Sequence, residues 1–246
     1  MTRIAVVYYS AFGHVYEMAQ AAARGAAAMP DTEVRLLRIG EEALEPEAYR
    51  SGPGGRTPAG GGQQEDLTRV FDIEGRVRKY RESREQQRGV PPASVSDLEW
   101  ADGVVWGFPT YYGMMPAQMK LFLERAGLLN LTGGLEGKPA GLLTSAGSIH
   151  TGHEAALLTA MVPLLHFGMI IVGSPYTENP EYLTTEGIGG TPYGPSTLAG
   201  PDSSLRPDPR ELAMAERLGA RVAGAAGALA PWNRSRREEK GAPPPT

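Results

Sequence analysis

Residues 3–17 read RIAVVYYSAFGHVYE, and this stretch decides the fold class. Residues 3–10 form a compact apolar run that ends in turn residues, a pattern typical of a strand buried on both faces of a parallel sheet. An alanine-rich helical pattern follows over residues 15–28, and residues 33–39 (EVRLLRI) predict a second strand. Strand, loop, helix and strand in this order indicate the start of a doubly wound α/β fold.

The same alternation continues in the second half of the chain. Apolar runs at residues 103–108, 139–145 and 169–173 predict three further strands. Helical patterns separate and follow them at residues 116–127, 154–166 and 211–229. Five strands that alternate with helices predict one parallel sheet with helices on both faces.

Residues 51–93 interrupt this alternation and are interpreted as an insertion. Residues 51–62 are rich in glycine and proline, while residues 65–88 are highly charged with apolar positions spaced three and four apart. That spacing predicts a helix with one narrow apolar stripe, which we interpret as a solvated surface helix rather than a partner site. We expect a single domain over residues 1–230 and a disordered tail over residues 231–246, where charges and a proline triplet cluster.

Composition excludes several classes of function. The chain has 246 residues, a hydrophobic fraction of 41% and a net charge of −4, which fit one substantial core and offer no basic surface for nucleic acid. It has no cysteine, which excludes disulfides, iron–sulfur clusters and thiolate zinc sites. No apolar run approaches the roughly 20 residues that span a bilayer. We therefore expect a cytoplasmic protein without membrane insertion.

The loop after the first strand has the features of a phosphate site. In an open parallel sheet, ligands bind outside the carboxyl ends of the strands. A helix that begins near Gly13 would present unpaired backbone N–H groups and a positive dipole end to an anion, with the Ser10 hydroxyl beside them. The loop lacks the glycine patterns of dinucleotide and P-loop sites. Taken alone, it is equally compatible with an ordinary strand-to-helix connection.

The loops after the third and fourth strands supply the other two walls. Residues 110–113 (TYYG) combine aromatic surface with backbone donors, as a planar ring requires, although two adjacent tyrosines are equally compatible with packing. Residues 145–154 are rich in small and hydroxyl side chains that suit a ligand wrapped by backbone amides. His150 and His153 lie there without a third ligand, so no metal site is expected.

Four segments resemble a known family. They are YYSAFGHVYEMA (8–19), GFPTYYGMMPAQMKLF (107–122), HFGMIIVG (166–173) and GGTPYGPSTLAG (189–200). Together they resemble the WrbA family of flavodoxin-like NAD(P)H:quinone oxidoreductases. The resemblance covers residues 2–50 and 94–225 in order, and the GGTPYG motif is its most specific part.

The resemblance implies a flavodoxin-like parallel sheet of strand order 2-1-3-4-5, noncovalently bound FMN and a homotetramer with active sites near subunit contacts. It implies no obligatory acid–base residue, and it makes Tyr112, together with Tyr193 from a neighbouring subunit, the pocket candidates. Phe12 and Asn130 would border the substrate. The residues it assigns to the flavin are Ser10, Ala11, Phe12, Gly13, His14, Val15, Pro109, Thr110, Tyr111, Tyr112, Gly113, Ser145, Ala146, Gly147, Ser148, Gly152 and Phe167.

Three positions depart from the family pattern. Tyr111 stands where the family usually has arginine, Asn130 stands at or near the position of a tryptophan that flanks the quinone, and Phe167 replaces the second of two paired histidines. The insertion at residues 51–93 also exceeds the usual length. These departures leave the expected fold unchanged and bear on substrate preference and rate.

The implied reaction is a two-electron reduction of quinones by NAD(P)H, with hydride passing through N5 of FMN. The cofactor carries such chemistry, while the protein positions the rings. Three alternatives remain open from the residues: a reductase that releases reduced FMN, a one-electron carrier of the flavodoxin type and a non-catalytic flavin-binding scaffold. Retention of the flavin during turnover separates the first from the quinone reductase.

Overall fold

The computed structural model describes residues 1–41 and 72–239. Its centre is a parallel sheet of order β2-β1-β3-β4-β5, which confirms the predicted order. A sixth short strand, β6, also pairs with β4 in parallel. The strands are β1 (Thr2–Tyr8), β2 (Thr32–Arg38), β3 (Gly103–Pro109), β4 (Pro139–Ala146), β5 (Ile170–Val172) and β6 (Ser196–Leu198).

Two short strands pair with β4 on its outer side, each along a different part of its length. β5 pairs with the first residues of β4, from Pro139 to Gly141, and β6 pairs with the last three, from Thr144 to Ala146. Residues 173–195 leave the sheet between them and contain a short 3₁₀ turn, Pro180–Tyr182. β6 was not predicted, because three residues within a glycine- and proline-rich stretch carry no strand pattern. It brings residue 199 to the carboxyl edge of the sheet.

Helices cover both faces of the sheet, as predicted. The cores on the two faces are separate: α1 and α7 cover one, and α3, α4, α5 and α6 cover the other. The helices are α1 (His14–Ala27), α2 (Ile73–Gln86), α3 (Val95–Trp100), α4 (Ala117–Arg125), α5 (Gly127–Leu131), α6 (His153–His166) and α7 (Pro209–Glu239).

Helices α1 and α7 cross in close contact because glycines lie at the crossing. A β-carbon on Gly25 would lie 1.8 Å from the carbonyl oxygen of Glu216, and one on Gly219 would lie 1.9 Å from that of Ala22. Real β-carbons are not found at such distances from backbone atoms. The two glycines therefore set the distance between the helices and hold α1, whose first turn faces the candidate site.

Two regions differ in extent from the sequence expectations. Within the predicted helix at 65–88, the structure shows α2, and residues 42–71, which include residues 51–71 of the insertion, lie outside the described residues. Helix α7 continues to Glu239, through residues for which a disordered tail was expected from 231 onward. The Asn233 amide donates to the carbonyl of Gly137 (3.0 Å), which ties this extension to the sheet side of the protein. Within residues 1–41 and 72–239, every helix is too short or too polar to cross a bilayer.

Candidate functional site

The loops that follow β1, β3 and β4 meet at the carboxyl edge of the sheet and enclose a cleft of about 210 Å³. The structure brings together most residues predicted for the flavin, from all three loops. Those that line the cleft are Ser10, Ala11, Phe12, His14, Val15, Pro109, Thr110, Tyr111, Ser145, Ala146 and Gly147.

The first wall is the turn from β1 into α1. Gly13 has φ of +93°, a left-handed conformation that glycine adopts without strain, and its N–H donates to the Ser10 hydroxyl oxygen at 3.2 Å. No side chain caps α1, and the first intrahelical bond runs from Glu17 N–H to the Gly13 carbonyl. The N–H groups of His14 and Val15 therefore have no intrahelical acceptor. This turn has the donors and dipole that a phosphate dianion requires.

His14 fixes the first wall to a distant segment. The side chain is buried, and its Nε2–H donates to the carbonyl of Leu205 at 2.8 Å. Burial, with smaller contributions from the charges of Arg206 and Lys79, holds the pKa of the imidazole below its usual value. The ring is neutral at pH 7, so His14 contributes shape and a hydrogen bond rather than charge.

The second wall is the loop after β3, which contains a strained tight turn. Tyr111 and Met114 exchange backbone hydrogen bonds of 2.9 and 3.1 Å around Tyr112 and Gly113, whose φ values are +54° and +75°. Positive φ at both central positions defines a type I′ turn, which favours Asn-Gly and disfavours a bulky residue first. The turn directs Tyr111 into the cleft lining and leaves the Tyr112 side chain wholly exposed outside the lining.

The third wall is the loop from β4 to α6. Ser145, Ala146 and Gly147 line the cleft, and the Ser145 carbonyl accepts from Thr110 N–H at 2.8 Å. Farther along the loop, the Thr151 hydroxyl bonds to the backbone of Ser148, outside the lining. The second and third walls are thus hydrogen-bonded to each other at the carboxyl ends of β3 and β4.

His153, at the start of α6, holds the end of the third wall. It is buried, with Nδ1 2.8 Å from the Ser196 hydroxyl oxygen and Nε2 2.8 Å from the Ile149 carbonyl. Both ring nitrogens are thereby occupied, while His150 is exposed. Among residues 1–41 and 72–239, no three His, Asp or Glu side chains are grouped to hold a metal ion.

Several predicted residues support the cleft without lining it. Gly13, Gly113 and Gly152 have positive φ and shape the three loops, and Ser148 lies in the Thr151 turn. Tyr193 lies in the GGTPYG turn, where backbone bonds of 3.2 Å join Thr191 to Gly194 at the edge of the sheet. Its ring is partly exposed there and is not part of the lining within one chain.

Phe167 and Asn130, expected beside the flavin and the substrate, lie at the opposite edge of the sheet within one chain. Phe167 precedes Gly168, whose carbonyl accepts from the N–H of Gly137 just before β4 begins. Asn130 is exposed on α5 and precedes the same strand. Because the eight-residue strand β4 is roughly 23 Å long at about 3.3 Å per residue, neither side chain reaches the cleft. The resemblance assigned them by sequence position, which does not locate them within a single chain.

A fourth wall was missed by the sequence analysis. Residues 199–203, brought to the cleft by β6, and Arg76 of α2 complete the lining. The sequence did carry a signal for residues 199–203, because the GGTPYGPSTLAG motif (189–200) leads into them. Arg76 carried no signal, since it lies in the insertion, and only the tertiary structure shows where that helix packs. The lining residues of this wall are Arg76, Ala199, Gly200, Pro201 and Ser203.

The chain matches a family model described as NADPH-dependent FMN reductase over residues 3–182. A protein of Aromatoleum aromaticum named NAD(P)H dehydrogenase (quinone) is 35% identical over 227 residues, covering 92% of this chain and 97% of the relative. Proteins of the same name from Trichlorobacter lovleyi and Syntrophus aciditrophicus are 37% and 38% identical. Alignments cover 91% and 92% of this chain and 96% and 98% of these relatives, respectively.

Solved structures agree with the fold. The crystal structure of a flavodoxin, WrbA-like protein from Agrobacterium tumefaciens superposes with a TM-score of 0.57 at 20% identity, covering 93% of this chain and 99% of that one. A flavodoxin from the domain Archaea superposes with a TM-score of 0.53 at 16% identity, covering 92% of this chain and 99% of that one. The architecture is therefore flavodoxin-like.

Proposed function

The chain belongs to the NADPH-dependent FMN reductase family, and from this premise we propose that it transfers two electrons from NAD(P)H to quinones. It is an FMN-dependent oxidoreductase, and relatives that align along nearly their whole length are named NAD(P)H dehydrogenase (quinone). The observation that carries the proposal is the cleft, which joins a phosphate-type helix start to an aromatic wall at the carboxyl edge of the sheet.

The residues present fit FMN. The Ser10 hydroxyl and the free N–H groups of the first turn of α1 would hold the phosphate, since they are donors at a positive dipole end. Tyr111 and the loop from Ser145 to Gly147 would hold the ring between an aromatic side chain and backbone amides. We propose that a single domain spanning residues 1–230 carries this site.

Bound in this cleft, FMN would supply the hydride-transfer chemistry that links NAD(P)H to the quinone. The chain's own residues position the rings and exclude water, and no side chain of the cleft has to act as an acid or base. Phe12 lines the cleft beside the helix start, where it would border the nicotinamide or the quinone. Tyr112 stands wholly exposed on the adjacent turn, where its ring would close over a planar substrate.

We also propose that the protein is a homotetramer, as the resemblance implies. Helix α6 carries Leu158, Val162 and Leu165 at helical spacing, and these side chains are 43%, 55% and 59% exposed. Leu128 and Leu131 of α5, on the same face of the sheet, are 69% and 83% exposed. An apolar surface of this kind on a folded protein marks an interaction site. A second copy of the chain would bury it.

We place the protein in the cytoplasm, where its nicotinamide donor is available. A net charge of −4 supports small-molecule substrates rather than nucleic acid as partners.

The test is oxidation of NADH and of NADPH by the purified protein with benzoquinone, measured with FMN, with riboflavin and with no flavin. We expect turnover that requires both FMN and quinone, with one equivalent of hydroquinone formed for each nucleotide oxidised. Turnover that instead follows added free FMN without quinone, with reduced flavin released, would identify a flavin-releasing reductase. Flavin binding without nucleotide oxidation would refute an enzymatic role in favour of a carrier or scaffold.

A further inference from the structure

Helix α2, from the insertion, lies across the end of the cleft that Ser10 and the start of α1 form, and it contacts two walls of the cleft. On one side, the buried Gln87, which follows the helix, places its amide nitrogen 3.2 Å from the carbonyl of Ser10 and 2.7 Å from the hydroxyl of Ser83. On the other side, the Lys79 ammonium donates to the carbonyl of Asp202 at 2.7 Å. The helix is therefore held in place by groups on both walls rather than projecting into solvent.

The first turn of α2 places Arg76 in the cleft lining. Asp72 caps the helix by accepting from the N–H of Gly75 at 2.9 Å, so the turn that carries Arg76 is ordered. The half-buried guanidinium lies over the ring of Phe12, 5.1 Å from its centre, and Nη1 approaches the carbonyl of Pro201 at 3.5 Å. Among the described residues, no carboxylate oxygen lies within 4 Å of it.

The charge of Arg76 is unusual among the residues around it. Of the lining residues that the structure describes, it alone carries a formal positive charge, since His14 is neutral, and none carries a negative one. A phosphate dianion at the start of α1 would meet backbone donors and the positive end of the helix dipole, which is equivalent to about half an elementary charge. Most of the charge of the dianion would therefore remain uncompensated. An arginine fork is well suited to bind the remaining phosphate oxygens.

We propose that Arg76 is a flavin-binding residue, which pairs with the 5′-phosphate of FMN and makes the site selective for the phosphorylated flavin. The insertion thereby supplies the cation of the phosphate site, while the α/β fold supplies its backbone donors. This inference rests on the proposed position of the flavin in the cleft. It does not depend on which acceptor the reduced flavin serves.

The test measures binding rather than turnover. The flavin-free full-length protein and its Arg76→Gln variant are titrated with FMN and with riboflavin, and quenching of flavin fluorescence reports the two dissociation constants. We expect Arg76→Gln to weaken FMN binding by about 10- to 100-fold, the range for a charge-assisted hydrogen bond to a phosphate, and to change riboflavin binding less than about threefold. Arg76→Lys should recover part of the FMN affinity.

Arg78→Gln is the matched control, because Arg78 is exposed on the same helix and outside the cleft lining; it should leave both affinities unchanged. Equal weakening of FMN and riboflavin in Arg76→Gln would overturn the assignment, since it would show that the side chain only packs on Phe12. So would unchanged flavin binding with a raised KM for NADPH, which would assign Arg76 to the nucleotide. FMN selectivity that depends on Arg76 in a protein that reduces no quinone would refute the proposed function and leave this assignment standing.

Discussion

Gly152 lies so close to Gly113 that a β-carbon on Gly152 would stand 2.8 Å from the α-carbon of Gly113. Gly152 also has φ of +93°, which strains any other residue. The loops after β3 and β4 thus meet backbone to backbone, and this contact sets the spacing of two walls of the candidate cleft. No substitution at Gly152 preserves both the contact and the conformation.

We therefore predict that Gly152→Ala weakens FMN binding at least tenfold and lowers the free energy of unfolding by about 1–3 kcal/mol, since it combines backbone strain with a clash. Flavin titration and urea unfolding measure the two effects. Gly127→Ala is the control, because a β-carbon on Gly127 meets nothing within 4 Å. If Gly152→Ala bound FMN as tightly as the control, the two loops would not form walls of the site.

Tyr112 combines strain with exposure, and its replacement should separate stability from activity. We predict that Tyr112→Asn, which suits the first central position of a type I′ turn, raises the free energy of unfolding by about 1 kcal/mol. We also predict that it lowers kcat/KM for benzoquinone several-fold, because it removes the exposed ring. Tyr112→Phe keeps the ring and should change neither quantity. A Tyr112→Asn variant that is more stable and fully active would leave the strained tyrosine without a role in the reaction.

His14 should make the fold less stable in acid. Because burial lowers its folded-state pKa below the ordinary histidine value of 6.5, the unfolded chain takes up a proton first as pH falls. Stability that is present above pH 6.5 is then lost as pH falls through 6.5 toward the folded-state pKa. We predict that the difference in unfolding free energy between pH 7.5 and pH 5.5 is smaller in His14→Gln than in the parent protein.

Urea unfolding of the two flavin-free proteins at each pH checks this prediction. Glu17 lies one turn farther along α1, and burial raises its pKa, so it acts with the opposite sign at lower pH. It is present in both proteins, and its contribution cancels in the comparison. An equal loss of stability in the two proteins would show that the buried imidazole does not control the acid response.

The apolar face of α5 and α6 should control self-association. We predict that Val162→Glu, alone or with Leu165→Glu, converts the proposed tetramer to smaller species, because a carboxylate at the centre of the proposed contact is costly to desolvate. Light scattering after gel filtration measures the mass. Leu183→Glu is a matched control, since Leu183 is 63% exposed but lies outside these helices. A tetramer that withstands both changes at residues 162 and 165 would place its interface elsewhere.

The close crossing of α1 and α7 predicts that one added methyl group strongly lowers the free energy of unfolding. Gly219→Ala should lower the free energy of unfolding by about 3 kcal/mol or more, because its β-carbon has no space and one helix must shift. Gly224→Ala on the same helix meets only the end of the Met29 side chain at 3.6 Å, and should stabilise the protein by up to about 1 kcal/mol through helix propensity. Similar effects of the two substitutions would contradict this description of the crossing.

The sequence predicted the sheet well because each buried strand is a short apolar run between turn residues, and their alternation with helices leaves few possible topologies. It also located three walls of the cleft, because loops at the carboxyl edge of a parallel sheet must meet. The fourth wall depends on where an inserted helix packs, which no local pattern encodes. Phe167 and Asn130 lie away from the cleft within one chain for a related reason: position along a motif does not specify the edge of the sheet, or the subunit, at which a side chain acts.

Helix α2 also has a consequence for kinetics. If Arg76 pairs with the flavin phosphate as proposed, the bound flavin and the docked helix stabilise each other by the same free energy. Interactions that hold the helix in place would then slow release of the flavin. On this proposal, the residence time of the cofactor depends in part on Gln87 and Lys79, two side chains outside the cleft lining, and retention of the flavin can be tuned without any change in the flavin's own contacts.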